Sequence, residues 1–254
     1  MAVVKKSHPA PLKKDIPAAP QRPLPVPEAA RAIQRSIAEL LETLCTGAPS
    51  AMSPAFMAGW QEALTLADRY REEITQHAGR TVACTKGCAS CCFHWVEDVN
   101  SFEAEAIAAW LVRYAPEKIP SIIDRCTRDA AALSHLNALV EAKLALLDSA
   151  QNEAIDPTDL LLASFHRLRR PCPLLDGTTR SCLVYPLRPL TCRMYVNFSD
   201  PARCSPGAAD DTDIPTSLFN LEEPADGFID ALHFKFMRFE GDTGLRSLLP
   251  KYLA

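Results

Sequence analysis

No stretch of this sequence offers the roughly 18 to 20 continuous apolar residues that cross a membrane, because charges interrupt every leucine-rich run. The opening segment, MAVVKKSHPAPLKKDIPAAPQRPLPVPE, has lysines and seven prolines but no apolar core of signal-peptide length. A dominant charge is missing too: 27 Lys and Arg stand against 31 Asp and Glu, for a net charge of −4. Acidic and basic residues are mixed, so there is no electrostatic footprint of a nucleic-acid-wrapping surface. Strand patterning is thin, and no internal repeat is present. These absences predict a cytoplasmic protein with no nucleic-acid or membrane partner evident.

What is present is a chain of 254 residues, 48% hydrophobic, long enough to bury a core without disulfides. Residues 1–27 read as a disordered, proline-rich arm. Proline removes backbone donors, and the segment has too few large apolar residues to pack. Its plainest role is a linker, with docking of a protein partner on its proline-rich stretch as the alternative.

Residues 28–254 read as one mainly α-helical domain. Ile33, Ile37, Leu40, Leu41 and Leu44 share a helical face that ends at Gly47 and Pro49. A second helix follows Ser53 and runs through Trp60, Leu64, Ala67 and Tyr70 towards Gly79. Asn100 and Glu103 have capping-box spacing ahead of a third. Residues 121–150 continue the helical period, Asp156-Pro157 opens a short helix ending near Arg170, and residues 228–239 form an aromatic one before a leucine-rich tail. Residues 81–83 and 93–96 have enough β character for at most a small β-hairpin. Residues 171–223, rich in proline, cysteine and aspartate, have no helical period, and so long an irregular stretch needs something to hold it.

The cysteines suggest what that is. Eight of the ten fall into two groups: Cys84, Cys88, Cys91 and Cys92, then Cys172, Cys182, Cys192 and Cys204. Cys45 and Cys126 lie on apolar helical faces and read as core residues. A reducing cytosol disfavours stable disulfides, so clustered thiols there point to metal or redox work. Cys88-x-x-Cys91 has the spacing at which a turn brings two sulfurs to one ion, with Gly87 supplying backbone freedom just before it. Adjacent Cys91 and Cys92 point in different directions, which hints at a shared or two-part site. Crowded thiolates repel one another, and a cation resolves the conflict. Arg188 and Arg193 flank Cys192 and can offset the charge; the run Arg167, Arg169, Arg170 reads equally as a solvated basic surface.

"CTKGCASCC", the capped helix at "NSFEAEAIAAWL" and "RRPCPLLDGTTRSCLVYPLRPLTCRMY" together resemble the YkgJ-type cysteine-cluster family, the zinc- or iron-chelating CxxCxxCC proteins. The resemblance spans residues 84–195. It implies a metal site at Cys84, Cys88, Cys91, Cys92, Cys172, Cys182 and Cys192, accompanied by Tyr185, Arg188, Pro189 and Arg193. Cys204 lies beyond it. Three residues rather than two separate Cys84 from Cys88, which departs from the family pattern. The implied cofactor is an iron-sulfur cluster or Zn2+, with iron-sulfur favoured because seven or eight thiols exceed the four that one structural zinc needs.

Enzyme readings compete. Cys84-x3-Cys88-x2-Cys91 has the spacing of radical S-adenosylmethionine enzymes, but those need a β/α barrel pattern that is absent here. Flagellin lysine methylases offer an analogy for protein methylation. A hydrolytic zinc site would draw on His94 with Glu97 and Asp98. His77, His135, His166 and His233 fall in helical segments and read as structural. A thioredoxin-like βαβ unit is not visible.

Overall fold

The computed structural model describes residues 24–146, 156–208, 216–241 and 244–254. Among these the architecture is mainly α, with eight α-helices and one two-stranded antiparallel sheet. Helix α1 (Glu28–Gly47) and helix α2 (Pro54–His77) form an antiparallel pair. Ala30, Ile37, Ala38, Leu41 and Leu44 make the buried stripe of α1, as the periodicity predicts. Ser53 caps α2 by accepting the Phe56 N–H, and Pro54 occupies the first turn, where its missing donor costs nothing. Gly59 lets the two helices approach: a β-carbon there would stand 2.8 Å from a Leu44 methyl.

Helix α3 (Ser101–Tyr114), α4 (Ile119–Leu144), α5 (Pro157–Arg167), α6 (Leu190–Met194), α7 (Ala225–Phe236) and α8 (Leu245–Leu253) follow. Strands β1 (Tyr195–Asn197) and β2 (Thr216–Leu218) pair with Tyr195 opposite Leu218. The apolar interior has two parts. One is built by α1, α2 and α7 with Met194, Val196, Phe219 and Leu221; the other by α3, α4 and α8 with Leu174, Val184 and Cys172. Helix α3 belongs to both: Phe102 meets Phe56 and Trp60 edge-on at 5.5 and 4.8 Å, while Ile107 and Leu111 face the second part.

The small sheet is not where the sequence placed it. Residues 93–96 hold no strand, since Phe93 closes a 3-10 turn. Residues 81–83 contribute a single bond, Ala83 N–H to the Asn197 carbonyl at 2.8 Å. The real strands are three residues each, too short for alternation to register. Of the expected arm, residues 1–23 lie outside the described residues; Leu24 and Val26 pack against the first core. The part of the 121–150 helix beyond residue 146 also lies outside them.

One polar cluster is buried in the second part. Arg246 on α8, 1% exposed, donates from Nε to Asp129 of α4 at 2.8 Å and from Nη1 to the His94 carbonyl at 3.1 Å. Its guanidinium lies 5.3 and 5.2 Å from the Trp95 and Phe165 rings. Arg170 shares the same carboxylate at 3.1 Å. Removing one partner of such a set strands the others in a dry interior. Asp129→Ala is therefore expected to lower stability by about 3–5 kcal/mol, read as an earlier urea midpoint, whereas the pair Asp129→Leu with Arg246→Met recovers most of it.

Candidate metal centre

The thiol-bearing segments are positioned by backbone bonds and polar clips. Cys84 follows the Ala83 bond to Asn197 and accepts the Asn197 N–H at 3.3 Å. Gly87 has φ +91°, a conformation open to glycine, and turns the chain so that the Cys88 N–H meets the Thr85 carbonyl at 2.9 Å. Cys91 and Cys92 sit in the 3-10 turn Ser90–Phe93.

The second segment then docks on the first: the Cys172 N–H donates to the Cys92 carbonyl at 2.6 Å. A tight loop returns the chain, with Leu175 bridged to Cys182 and the Asp176 carboxylate collecting the Thr178 and Thr179 N–H groups. Cys192 lies on α6. The first N–H of that helix, from Leu190, donates to the buried Glu103 carboxylate at 2.8 Å, and the same carboxylate caps α3 through Asn100. Burial raises the Glu103 pKa against those hydrogen bonds.

Arg188 and Arg193, expected to serve the thiols together, divide the work. Arg188 is half-buried among Cys192, Cys91 and Cys92, whose sulfurs more than offset the cost of desolvating its charge, and it donates to the Cys192 carbonyl. Arg193 turns to Asp68 of α2 at 2.7 Å and to the carbonyls of Pro186 and Arg188 at 2.7 and 2.9 Å. It clips α6 to the helical pair.

The thiols form two overlapping neighbourhoods. In one, Cys92, Cys172, Cys182 and Cys192 lie within electrostatic reach of one another beside Arg188. In the other, Cys84, Cys88 and Cys204 do the same. Cys91 reaches both. Asn197, fully buried, joins Cys84 to Cys204, since its side-chain amide donates to the Cys204 sulfur at 3.1 Å. Cys204, outside the sequence grouping's recognisable motif, thus stands beside the first cysteine of the chain's cluster.

Burial dominates the thiol acidities, pushing Cys182 and Cys204 up to about 11 and raising Cys172, Cys192 and Cys84. Cys91 is the exception, lowered to about 6 by the Cys92 thiol that donates to it and by Arg188, while Cys92 is raised by the same bond. The pair thus favours ionisation at Cys91 over Cys92. Among the described residues no three Cys, His, Asp or Glu side chains stand as a ready coordination shell. The fold gathers soft donors, and one χ1 rotation moves each sulfur. A cavity of about 490 Å3 lies elsewhere, lined by Thr191, Met194 and Asp226 among others and by no cysteine.

The two remaining cysteines have other surroundings, although Cys126 lies within electrostatic reach of Cys172. Cys126 is fully buried on α4 with its thiol raised to about 12 by burial, and Cys45 points its thiol at the Phe228 carbonyl. His94, beside the cluster, stacks on His166 of α5 with ring centroids 3.9 Å apart and planes 9° from parallel. Burial, with His166 adding to it, lowers His94 to about 4. Glu97 and Asp98 make no hydrogen bond to either ring. Sequence reasoning missed Asn197, which carries no motif signal, and Arg246, whose only signal is an arginine among Leu245, Leu248 and Leu249.

Residues 83–205, just under half of the chain, match the CxxCxxCC family model, described as a "putative zinc- or iron-chelating domain". The match begins one residue before Cys84 and takes in Cys204. No curated protein and no solved structure matches the chain. Among the described residues no helix is long and apolar enough to cross a membrane.

The raised thiols set a pH dependence for the metal-free fold. A thiol at 9.0 when unfolded and about 11 when folded stabilises the fold below pH 9 and loses that contribution as pH rises through 11. Cys91 runs the other way, and Cys92 keeps the proton that Cys91 gives up. Metal-free protein is expected to lose stability steadily above pH 9 in denaturant titrations. Cys182→Ala and Cys204→Ala should each flatten that decline.

Proposed function

We propose that this is a metal-binding protein whose centre is held by Cys84, Cys88, Cys91, Cys92, Cys172, Cys182 and Cys192, with Cys204 beside them. Its cofactor is Zn2+ or an iron-sulfur cluster, and iron-sulfur is favoured. The observation that carries the reading is the docking of residues 172–192 onto residues 84–92 around Arg188, which sets thiols from two distant segments about one guanidinium. Soft, all-sulfur surroundings suit zinc and iron-sulfur alike, and so many thiols exceed one zinc's need. The match to a zinc- or iron-chelating domain supports the same class.

The roles of the chain's own residues follow from the contacts. Arg188 offsets thiolate charge and, with the Asn197 N–H donors, tunes the sulfurs. Cys91, its thiol lowered by Cys92 and Arg188, gives up its proton most readily, and the thiols release protons as they ligate. A bound cluster supplies one-electron chemistry; a bound zinc supplies cross-linking of residues 171–204 to the helical body. The site belongs to a reducing compartment, consistent with free thiols and a cytoplasmic location. Among the described residues the sheet is two-stranded, which does not supply the barrel that radical S-adenosylmethionine chemistry rests on.

Anaerobic purification followed by metal, acid-labile sulfide and visible-absorption measurements tests the reading. Bound iron with sulfide, or bound zinc, is expected; a colourless protein that neither carries nor takes up metal would sink it. Serine at Cys88, Cys91, Cys172, Cys182 or Cys192 should abolish metal retention and expose residues 171–204 to protease. The same change at Cys45 or Cys126 should leave metal content intact, with about 1–3 kcal/mol of stability lost at most. Equal metal loss at Cys45 and Cys182 would mean general unfolding instead.

A further inference from the structure

The cavity of about 490 Å3 is walled by residues of α6, of β2 and the chain after it, and of α7, together with residues just ahead of α3. Its volume falls within the roughly 300–1,000 Å3 of small-molecule sites. The lining combines two chemistries. Met194, Phe219, Leu221 and Ile229 are buried apolar side chains and form its inner surface. Leu218 and Phe234 carry that apolar surface outward into water, 51% and 67% exposed. Large apolar side chains left in water are informative when they adjoin one hollow, because nothing in the chain covers them.

The charge on the lining is of one sign. Asp98, Asp226 and Asp230 all line the cavity, and among the described residues no lysine or arginine does. Asp226, Asp230 and His233 recur at helical spacing, which puts them on one face of α7. His233 supplies no positive charge: its Nδ1 accepts the Ser101 N–H at 3.2 Å, which requires that nitrogen to be bare. Lys235, the cation on the same helix, donates from Nζ to the Cys45 and Ala48 carbonyls at 2.7 and 2.8 Å. Burial, with repulsion from Asp230 and Glu223, raises the Asp226 pKa, and a cation seated by the two aspartates relieves that repulsion.

We infer that this cavity is a binding site for a small organic ammonium. The apolar body of the ligand lies on Met194, Phe219, Leu221 and Ile229, and its protonated nitrogen meets the Asp226 and Asp230 carboxylates within the field of Asp98. A lysine side chain from another protein brings the charge but only a four-carbon stem, which leaves most of the apolar lining uncovered. The inference stands apart from the metal-binding reading and does not depend on it.

The test titrates the full-length protein with three probes of one shape, 4-phenylbutylamine, 4-phenylbutanol and 4-phenylbutyrate, followed by ligand-observed NMR. The amine is expected to bind saturably, with a dissociation constant of about 1 mM or below, and to weaken as salt is added. The alcohol should bind more weakly and the carboxylate not at all. Asp226→Asn and Asp230→Asn should each lower amine affinity by up to roughly 5-fold, and the double variant by more. Phe234→Ala should weaken amine and alcohol alike. These three side chains are exposed, so their replacement spares the fold, and Glu39→Gln, exposed on α1, should leave binding unchanged. Absence of saturable amine binding overturns the inference. So does an alcohol or carboxylate that binds as tightly as the amine, or a double aspartate variant whose amine affinity equals that of Glu39→Gln.

Discussion

Crowding many thiols into a buried space is the constraint on which the rest of this structure depends. Water no longer solvates the sulfurs, so burial holds Cys172, Cys182 and Cys192 in their neutral form, and each would repel the next if it ionised. Arg188 stands among them, Arg246 reaches Cys172 and Arg193 reaches Cys182, and the Cys91 thiol alone is shifted towards ionisation. Further ionisation needs further cations, so the local charge balance selects for a metal and resists the spread of free thiolates.

Holding this arrangement falls to the helices, through polar contacts more than through oil. Residues 171–204 contribute only a few core side chains, among them Leu174, Val184, Met194 and Val196. Their placement comes from clips: Arg193 to Asp68, Glu103 to the first N–H of α6, Asn197 to two sulfurs. Each clip is buried or half-buried, where an unpaired partner would be costly, so each is specific. Arg246 does the same from the C-terminal helix, joining α4, the His94 carbonyl and the Arg170 carbonyl. The thiol region is thus fastened by residues both inside and outside the segment that matches the chelating family.

The helices were legible in the sequence because their information is local. α1 ends at Gly47 as the pattern indicates, Ser53 caps α2, and the Asn100 and Glu103 spacing becomes a real cap. Gly87 takes the positive φ that its place before Cys88 suggests. What was not legible is long-range. The strands are three residues long and separated by more than a turn, so pairing is decided by Asn197 and its surroundings and not by β patterning. His166 reads as an ordinary helical histidine until the fold stacks it on His94, and Cys204 looks like an outlier until Asn197 ties it to Cys84. Arg193 does more than its sequence place beside Cys192 suggests: it reaches Cys182 electrostatically, but its ion pair goes to Asp68.

The adjacency of Cys91 and Cys92 explains why the two thiol neighbourhoods overlap without merging. In a 3-10 turn successive side chains diverge by about 120°, so neighbouring residues leave the backbone in different directions. Cys92 turns to the side of Cys172 and Cys192, and its carbonyl receives the Cys172 N–H. Cys91 stays within reach of Cys84 and Cys204 as well as Arg188. The Cys92 thiol still donates to the Cys91 sulfur, so charge placed on one side is felt on the other. A residue pair with no spacer between them is what allows one short turn to serve both sides, and inserting a residue there would send the two sulfurs to a different pair of faces.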